Sequence, residues 1–345
     1  MRYPPINAKC PHFWHGGDYN PDQWLHMPEI INEDFRLMRL ARCNAMSIGI
    51  FAWSALEPSE GVFEFGWLDD IMDRLARQGM VAVLATPSGA KPAWMSRTYP
   101  EIRRMSRDGI REPHHGRHNH CPTSPVYREK CRIINTRLAE RYKDHPALAL
   151  WHVSNEYSGN IWACRCPLCL EAFRAWLRVR YHDSLEELNR AWWSGFWGHT
   201  INSWDEVLPE WGALDGPTLD WQRFGSDHMI DFFKAEAEPL RRITPHVPVT
   251  TNFMEFFPGF DHREFAKHVD VVAWDSYPRW HDTQDDLHVA AWTAMAHDQM
   301  RSLRGGQPFM LMESTPSLPS RGDVRKLKRP GMHRLSSLQA VAHGS

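Results

Sequence analysis

Short apolar runs recur along this chain, and many end in polar residues at the C-terminal side. The pattern predicts strands over Phe13 to Tyr19, Asn44 to Trp53 and Met80 to Ala85, then from Leu148 into Trp151. Three more follow at Val247 to Phe253, Asp270 to Tyr277 and Phe309 to Glu313. Between them, apolar positions three and four apart predict amphipathic helices. Residues 28–42 put Ile31, Phe35 and Met38 on one face, and Leu68, Ile71, Met72 and Leu75 make a second face, ended by Gly79. Helices are further expected near 125–143, along Leu170, Phe173 and Leu177, and over 219–242 and 287–303. A last one carries Met332, Leu335, Leu338 and Ala342.

Strand followed by helix, repeated, is the α/β pattern of a parallel sheet. Runs such as MVAVLA at 80–85 are apolar throughout, as strands buried on both faces are. The expected fold is a (β/α)8 TIM barrel spanning 1–345, with a Trp-rich insertion at about 183–215. Only seven strand–helix units are visible. Gly344 and Ser345 alone follow the last helix, so the eighth strand is expected to be missing from a partial sequence.

Two strand ends stand out. LALWHVSNEYSG at 148–159 breaks from apolar residues into Asn155 and Glu156, and FMLME at 309–313 ends in Glu313. Barrel strands present catalytic groups at their C-terminal ends. A Glu from the fourth strand and one from the seventh would form paired carboxyls in one pocket. Retaining glycosidases hold such a pair about 5–5.5 Å apart, one as acid/base and one as nucleophile. Glu156 as the acid/base would need a raised pKa, with Glu313 staying ionised as the nucleophile. A single such Glu could equally cap a strand or pair with an Arg; two at matched strand ends favour chemistry. Asn155 is placed to hydrogen-bond a sugar hydroxyl. Arg117 offers a fork of donors to sugar hydroxyls, and Tyr277 could orient the nucleophile.

The seven cysteines are an odd number, and four of them sort by spacing and loop position. Cys164, Cys166 and Cys169 form C-x-C-x-x-C, which lacks one ligand of a closed, tetrahedral four-cysteine zinc site. Cys121 is the first candidate for it, with His114, His115, His118 and His120 as alternatives. Four protein ligands leave no position for water, so such a Zn2+ would be structural. Cys10 and Cys43 read as core thiols and Cys131 as helical.

A formal charge of −2 argues against a nucleic-acid partner. No run reaches the ~20 apolar residues of a membrane span, and MRYPPINAKCPHFWHGG lacks a signal-peptide apolar region, so a cytoplasmic enzyme is expected. The 17 Trp residues suit both packing and stacking on sugar faces.

The chain resembles glycoside hydrolase family 42, the β-galactosidases. The resemblance rests on GGDYNPDQW (16–24), FAWSALEPSEGVFEFGWLD (51–69), RHNHCPTSPVYR (117–128) and WHVSNEYSG (151–159). CRCPLC (164–169), WDSYP (274–278) and MESTPS (312–317) continue it in order. It implies a retaining enzyme acting on β-galactosides, with Glu156 as acid/base after Asn155 and Glu313 as nucleophile. It also implies sugar contacts from Arg117 and Tyr277, and a zinc held by Cys121, Cys164, Cys166 and Cys169. Family members are typically homotrimers. Arg321 stands near where the family usually has a Trp after the nucleophile. Two other functions fit the same residues: a catalytically silent, zinc-stabilised galactoside-binding fragment, and a glycosidase acting on α-L-arabinopyranosides.

Overall fold

The computed structural model describes residues 3–157, 164–209, 214–280, 285–315 and 327–345. Its first elements are β1 (Gly16–Tyr19), α1 (Pro28–Leu40), β2 (Ala45–Ile48), α2 (Trp53–Leu56) and α3 (Gly66–Arg77). β3 (Val81–Ala85), α4 (Ala93–Thr98), α5 (Pro125–Tyr142) and β4 (Leu148–His152) follow. Next come α6 (Pro167–Arg180), α7 (Leu185–Trp192), α8 (Asp215–Ile243), β5 (Val249–Thr250) and β6 (Asn252–Met254). The order ends with α9 (His262–Phe265), β7 (Ala273–Asp275), α10 (Asp286–Ser302), β8 (Met310–Glu313) and α11 (Met332–His343).

Every ladder is parallel, in the orders β1-β2-β3-β4-β5 and β6-β7-β8. Strand side chains alternate between two apolar layers. Val83, Leu150, Val271, Ala273 and Met312 meet inside the barrel, with Ile6 and Trp14 packed against them. Outward-facing residues such as Leu84, Trp151, Phe253 and Trp274 meet the helices in the main core. The expected faces of α1 and α3 are both buried.

The sheet departs from expectation at the fifth strand. Residues 247–253 form two short ladders, because Thr251 breaks the run: β5 pairs with β4 and β6 with β7. The Thr250 hydroxyl satisfies Val271 O at 2.7 Å, a bond made by a side chain at the break. A local irregularity of this kind re-aims the residues after it, and here it turns Asn252 into the barrel mouth. The first two strands are also shorter than expected. Phe13 is exposed, and the chain leaves the sheet at Gly49 with φ +82° before entering α2.

No ladder joins β8 to β1 among the described residues, in line with the expectation of seven strand positions. β1 and β8 nevertheless lie side by side, and the Ser47 hydroxyl reaches Met312 Sδ at 3.4 Å. On the edge of β8, Phe309 N–H donates to Gly344 O at 3.0 Å and Leu311 N–H to Ser345 Oγ at 3.3 Å. The last helix is rotated from its expected face. Met332, Ser336 and Ala340 are buried, while Leu335 and Leu338 lie in solvent. Spacing of four puts these smaller residues on one stripe, where a helix can approach α10 closely.

A second core hangs on the barrel rim. Phe173, Leu177, Leu188, Trp192, Ile201 and Trp204 pack with Trp221 and Phe224 of α8 and with the four clustered cysteines. The insertion expected at 183–215 supplies α7 and, among these rings, Trp192 and Trp204; Trp211 lies outside the described residues.

Candidate active site and cysteine centre

β4, β6, β7 and β8 open at one end of the barrel, and each brings a polar side chain there. The carboxyl oxygens of Glu156, Asp275 and Glu313 lie within 4.8 Å of one another. The structure thus brings Glu156 and Glu313 together, from two strand ends far apart in sequence, with carboxyl oxygens close enough to face one sugar ring. Asp275 lies two residues before Tyr277 in the same WDSYP segment, and no sequence signal set it apart.

Asn252, also unforeseen, ties the three acids together. Its Nδ2 donates to Asp275 Oδ2 at 2.7 Å and to Glu313 Oε1 at 3.1 Å. Its Oδ1 accepts the Glu156 backbone N–H at 2.8 Å and faces His152 Nε2 at 2.9 Å. Burial pushes the His152 imidazole down to about 4, so the ring is neutral and its Nε2–H is the donor. The only sequence signal was a polar triplet, TTN, in an otherwise apolar run.

Glu313 receives the Tyr277 hydroxyl on its other oxygen, the orienting contact expected of Tyr277. Burial raises the Glu313 carboxyl and the charge of Glu156 adds to this. Tyr277, Arg117 and Asn252 oppose it. Asp275 is pushed well above its ordinary value by burial, then by the charges of Glu313 and Glu156.

Arg117 NH2 sits 3.0 Å from Glu156 Oε2, with its guanidinium over the Phe51 ring at 5.6 Å. The Asn155 amide fits best with nitrogen toward Glu313 Oε1, at 3.2 Å, and oxygen toward Arg117 NH1, also 3.2 Å. In that orientation Asn155 bridges the nucleophile candidate and the arginine. Asp18, at the end of β1, is exposed to solvent but crowded by the barrel mouth. Lost hydration, then the charge of Glu313, pushes it up to about 7. Its open side means water screens much of that effect. Arg321 lies outside the described residues.

The turn that carries the acid/base candidate has left-handed backbone at two residues with a Cβ. Ser154 has φ +57° and Glu156 φ +39°, values that cost on the order of 1–3 kcal/mol each for residues with a Cβ. Side chains from elsewhere hold the turn: Ser154 N–H donates to Thr86 Oγ1 at 2.8 Å and Glu156 N–H to Asn252, as above.

The cysteine centre lies beside this mouth, on the loop between β3 and α5 and at the start of α6. Cys121 Sγ is 3.4 Å from Cys166 Sγ and 3.5 Å from Cys169 Sγ, and Cys166 is 3.7 Å from Cys169. All four sulfurs, Cys164 included, lie within 4.8 Å of one another. A tetrahedron with 2.3 Å metal–sulfur bonds has edges of about 3.8 Å, so the donor set fits one ion held by four thiolates. None of the four candidate histidines joins it: His114 Nδ1 meets Ser96 Oγ at 2.9 Å, His115 meets Glu112 at 3.2 Å, and His118 and His120 are buried outside the cluster. Hydrogen bonds from its sulfur neighbours, Cys121 first, hold the Cys166 thiol down. The same contacts push Cys169 up.

A family model described as beta-galactosidase, that of glycoside hydrolase family 42, matches residues 18–345. Beta-galactosidase BglY of Alicyclobacillus acidocaldarius subsp. acidocaldarius is 52% identical across 100% of this chain, and GanA of Bacillus subtilis is 52% identical across 96%. The chain spans about half the length of these curated relatives, 50% of each. Among solved structures, the beta-galactosidase of Rahnella sp. R3 superposes with a TM-score of 0.96 at 50% identity, over 99% of this chain and 50% of that one. Gan42B of G. stearothermophilus gives 0.95 at 51% identity, over 99% and 51%. At 10% identity, the catalytic domain of a Paenibacillus polymyxa beta-amylase shares the fold alone, with a TM-score of 0.70. In sequence and in barrel architecture alike, this chain belongs to glycoside hydrolase family 42, the β-galactosidases.

Proposed function

We propose that this chain carries the catalytic site of a retaining β-galactosidase that releases terminal β-D-galactose. The observation behind this reading is the approach of Glu156 and Glu313 to within 4.8 Å around a neutral amide. In the first step a Glu313 oxygen bonds to the anomeric carbon as the bond to the leaving oxygen breaks. The Glu156 proton passes to that oxygen. In the second step Glu156 takes a proton from water as the water oxygen bonds to the same carbon and Glu313 departs.

The donors around Glu313 suit the nucleophile's role. Tyr277, Asn252 and Asn155 fix the carboxylate by hydrogen bonds that need no counter-charge. Arg117 has the more adaptable position. Its side chain is about half exposed, so it can turn to a sugar hydroxyl when substrate enters. Glu313→Ala should abolish hydrolysis of a nitrophenyl β-galactoside, and azide should restore turnover to the α-galactosyl azide. Formation of the β-azide would refute the assignment.

Zinc belongs to the same reading. Cys121, Cys164, Cys166 and Cys169 would hold one structural Zn2+, which pins the loop after β3 to α6 and so steadies the Arg117 segment. No helix among the described residues is long and apolar enough to cross a membrane. A cytoplasmic setting is consistent with seven cysteines free of disulfides.

A further inference from the structure

Beneath the turn that carries Glu156 lies a carboxyl group that the reaction does not use. Glu236, on α8, is 1% exposed and faces away from the barrel mouth. Its Oε2 accepts the hydroxyl of Tyr157, the residue after Glu156, while its Oε1 has no hydrogen-bond partner. The Tyr157 ring is fixed by edge-on contacts with Phe232, Phe233 and Phe265 at 5.9, 5.7 and 5.8 Å. Asn135 of α5 donates to Glu236 O at 3.0 Å, locking that turn of α8 against its neighbour.

The setting is more specific than packing requires. An apolar side chain would fill the same space without burying a carboxyl. Ser88, Cys131 and, farther off, Arg128 face the group from the loop after β3 and from α5, and the Tyr127 hydroxyl donates to Ser88 O. Thr86, Asn252 and Glu236 thus pin three stations of one strained turn, at Ser154, Glu156 and Tyr157. The first two act on backbone N–H groups from the barrel side. Glu236 alone of the three acts from the helical layer, on the residue where the turn must stop rotating.

We infer that Glu236 is a positioning residue for the acid/base: by holding the Tyr157 hydroxyl it fixes the left-handed backbone of Glu156, and hence the direction in which that carboxyl delivers its proton. This rests on the reading of Glu156 as the acid/base. The consequence is selective, because a leaving group that departs as a stable anion needs no proton.

The test compares Glu236→Leu, Glu236→Gln and Tyr157→Phe in the full chain, on phenyl and 2,4-dinitrophenyl β-galactosides. Glu236→Leu and Tyr157→Phe should each lower kcat/KM on the phenyl substrate about 30-fold, as a misplacement of roughly an ångström does. On the dinitrophenyl substrate the loss in kcat/KM, which reports only the first step, should stay within about twofold, since the acid contributes little there. Glu236→Gln keeps an acceptor for Tyr157 and should restore phenyl turnover to near the parent level. Equal losses on both substrates, or none on either, would overturn the inference. Should the parent chain turn over neither substrate, it is the catalytic reading that fails. Positioning is then read from binding of a galactose-configured amidine that takes a proton from Glu156. Glu236→Leu must weaken the amidine but not galactose, and equal weakening of both rejects the role.

Discussion

Two clusters of like groups sit side by side on this barrel and solve the same electrostatic problem in opposite ways. At the mouth, three carboxyls crowd within 4.8 Å; beside it, four thiols do the same. Glu156 and Glu313 stay partly open, Arg117 stands 3.0 Å from Glu156, and the neutral Asn252 amide by itself reaches Asp275 and Glu313. The thiols are buried at 0–3% exposure, with sulfurs in mutual contact and no amide between them. On the proposed reading, donors that do not neutralise the charge leave a carboxylate free to attack and a carboxyl free to give its proton. Ionised sulfurs in contact can coexist only around a cation. On that reading one cluster is kept reactive, the other closed.

The largest expected effect follows from the closed cluster. A structural zinc held by four thiolates contributes on the order of 10 kcal/mol to the fold it ties. Elemental analysis should find about one zinc per chain. Cys166→Ser, or prolonged chelation, should remove it and lower Tm by roughly 10 °C or more. A metal-free protein with unchanged Tm would show that the thiols need no ion, and the contrast with the carboxyls would collapse. The open cluster gives the next effect. Asn252→Asp keeps shape but puts another acid where a donor stood. It should cost on the order of 100-fold or more in kcat, as loss of a fixed donor beside developing charge does, with zinc content unchanged. Parent-like kcat in that variant would mean that the amide is not what lets the acids share the site.

How far each cluster could be read from the sequence follows from how local its signal is. C-x-C-x-x-C compresses three ligands into six residues, and Cys121 sits at a loop expected to meet them. Glu156 and Glu313 each end an apolar run, so strand periodicity exposed them. Asn252, Asp275 and His152 lie within strands, where a polar residue has no neighbour in sequence to explain it. The bonds that join them span 23 and 100 residues. Glu236 is harder still, a charged residue in a long helix that reads as a solvated position until α5 covers it. The misread face of α11 has the reverse cause. Leu335 and Leu338 fit a helical stripe, but Met332, Ser336 and Ala340 fit a closer one.

pH probes the comparison more gently. Burial pushes Glu236 up to about 7 from an ordinary value of 4.5. The unfolded chain releases this proton near pH 4.5 while the folded chain holds it to about 7. Folding is thus favoured fully below about pH 4.5, and that contribution is lost as pH rises through about 7. Glu236→Gln removes the titration, so its stability between about pH 5 and 8 should fall less steeply than the parent's, the difference reaching about 2–3 kcal/mol at pH 8. Denaturant titrations at several pH values measure it, and parallel slopes would show that Glu236 does not hold its proton in the fold.

The smallest effect separates a ligand from its support. Thr123 Oγ1 lies 3.0 Å from Cys169 Sγ and 2.8 Å from His228 Nε2. A metal-bound thiolate can only accept, so the hydroxyl must donate to sulfur and accept from His228, which fixes that ring's tautomer. Burial lowers the His228 pKa to about 4, so a neutral imidazole supplies the N–H. This is the counterpart, on the closed cluster, of Asn252 on the open one: a neutral donor orienting an anion. Thr123→Val keeps the shape and removes the donor. Zinc affinity, measured by competition with a chromophoric chelator, should fall about tenfold, the lower end of the effect of such outer partners. kcat should not change while zinc is saturating. A larger fall in kcat than in zinc affinity would mean that the two clusters are coupled through the Arg117 loop, and are not independent solutions to the same problem.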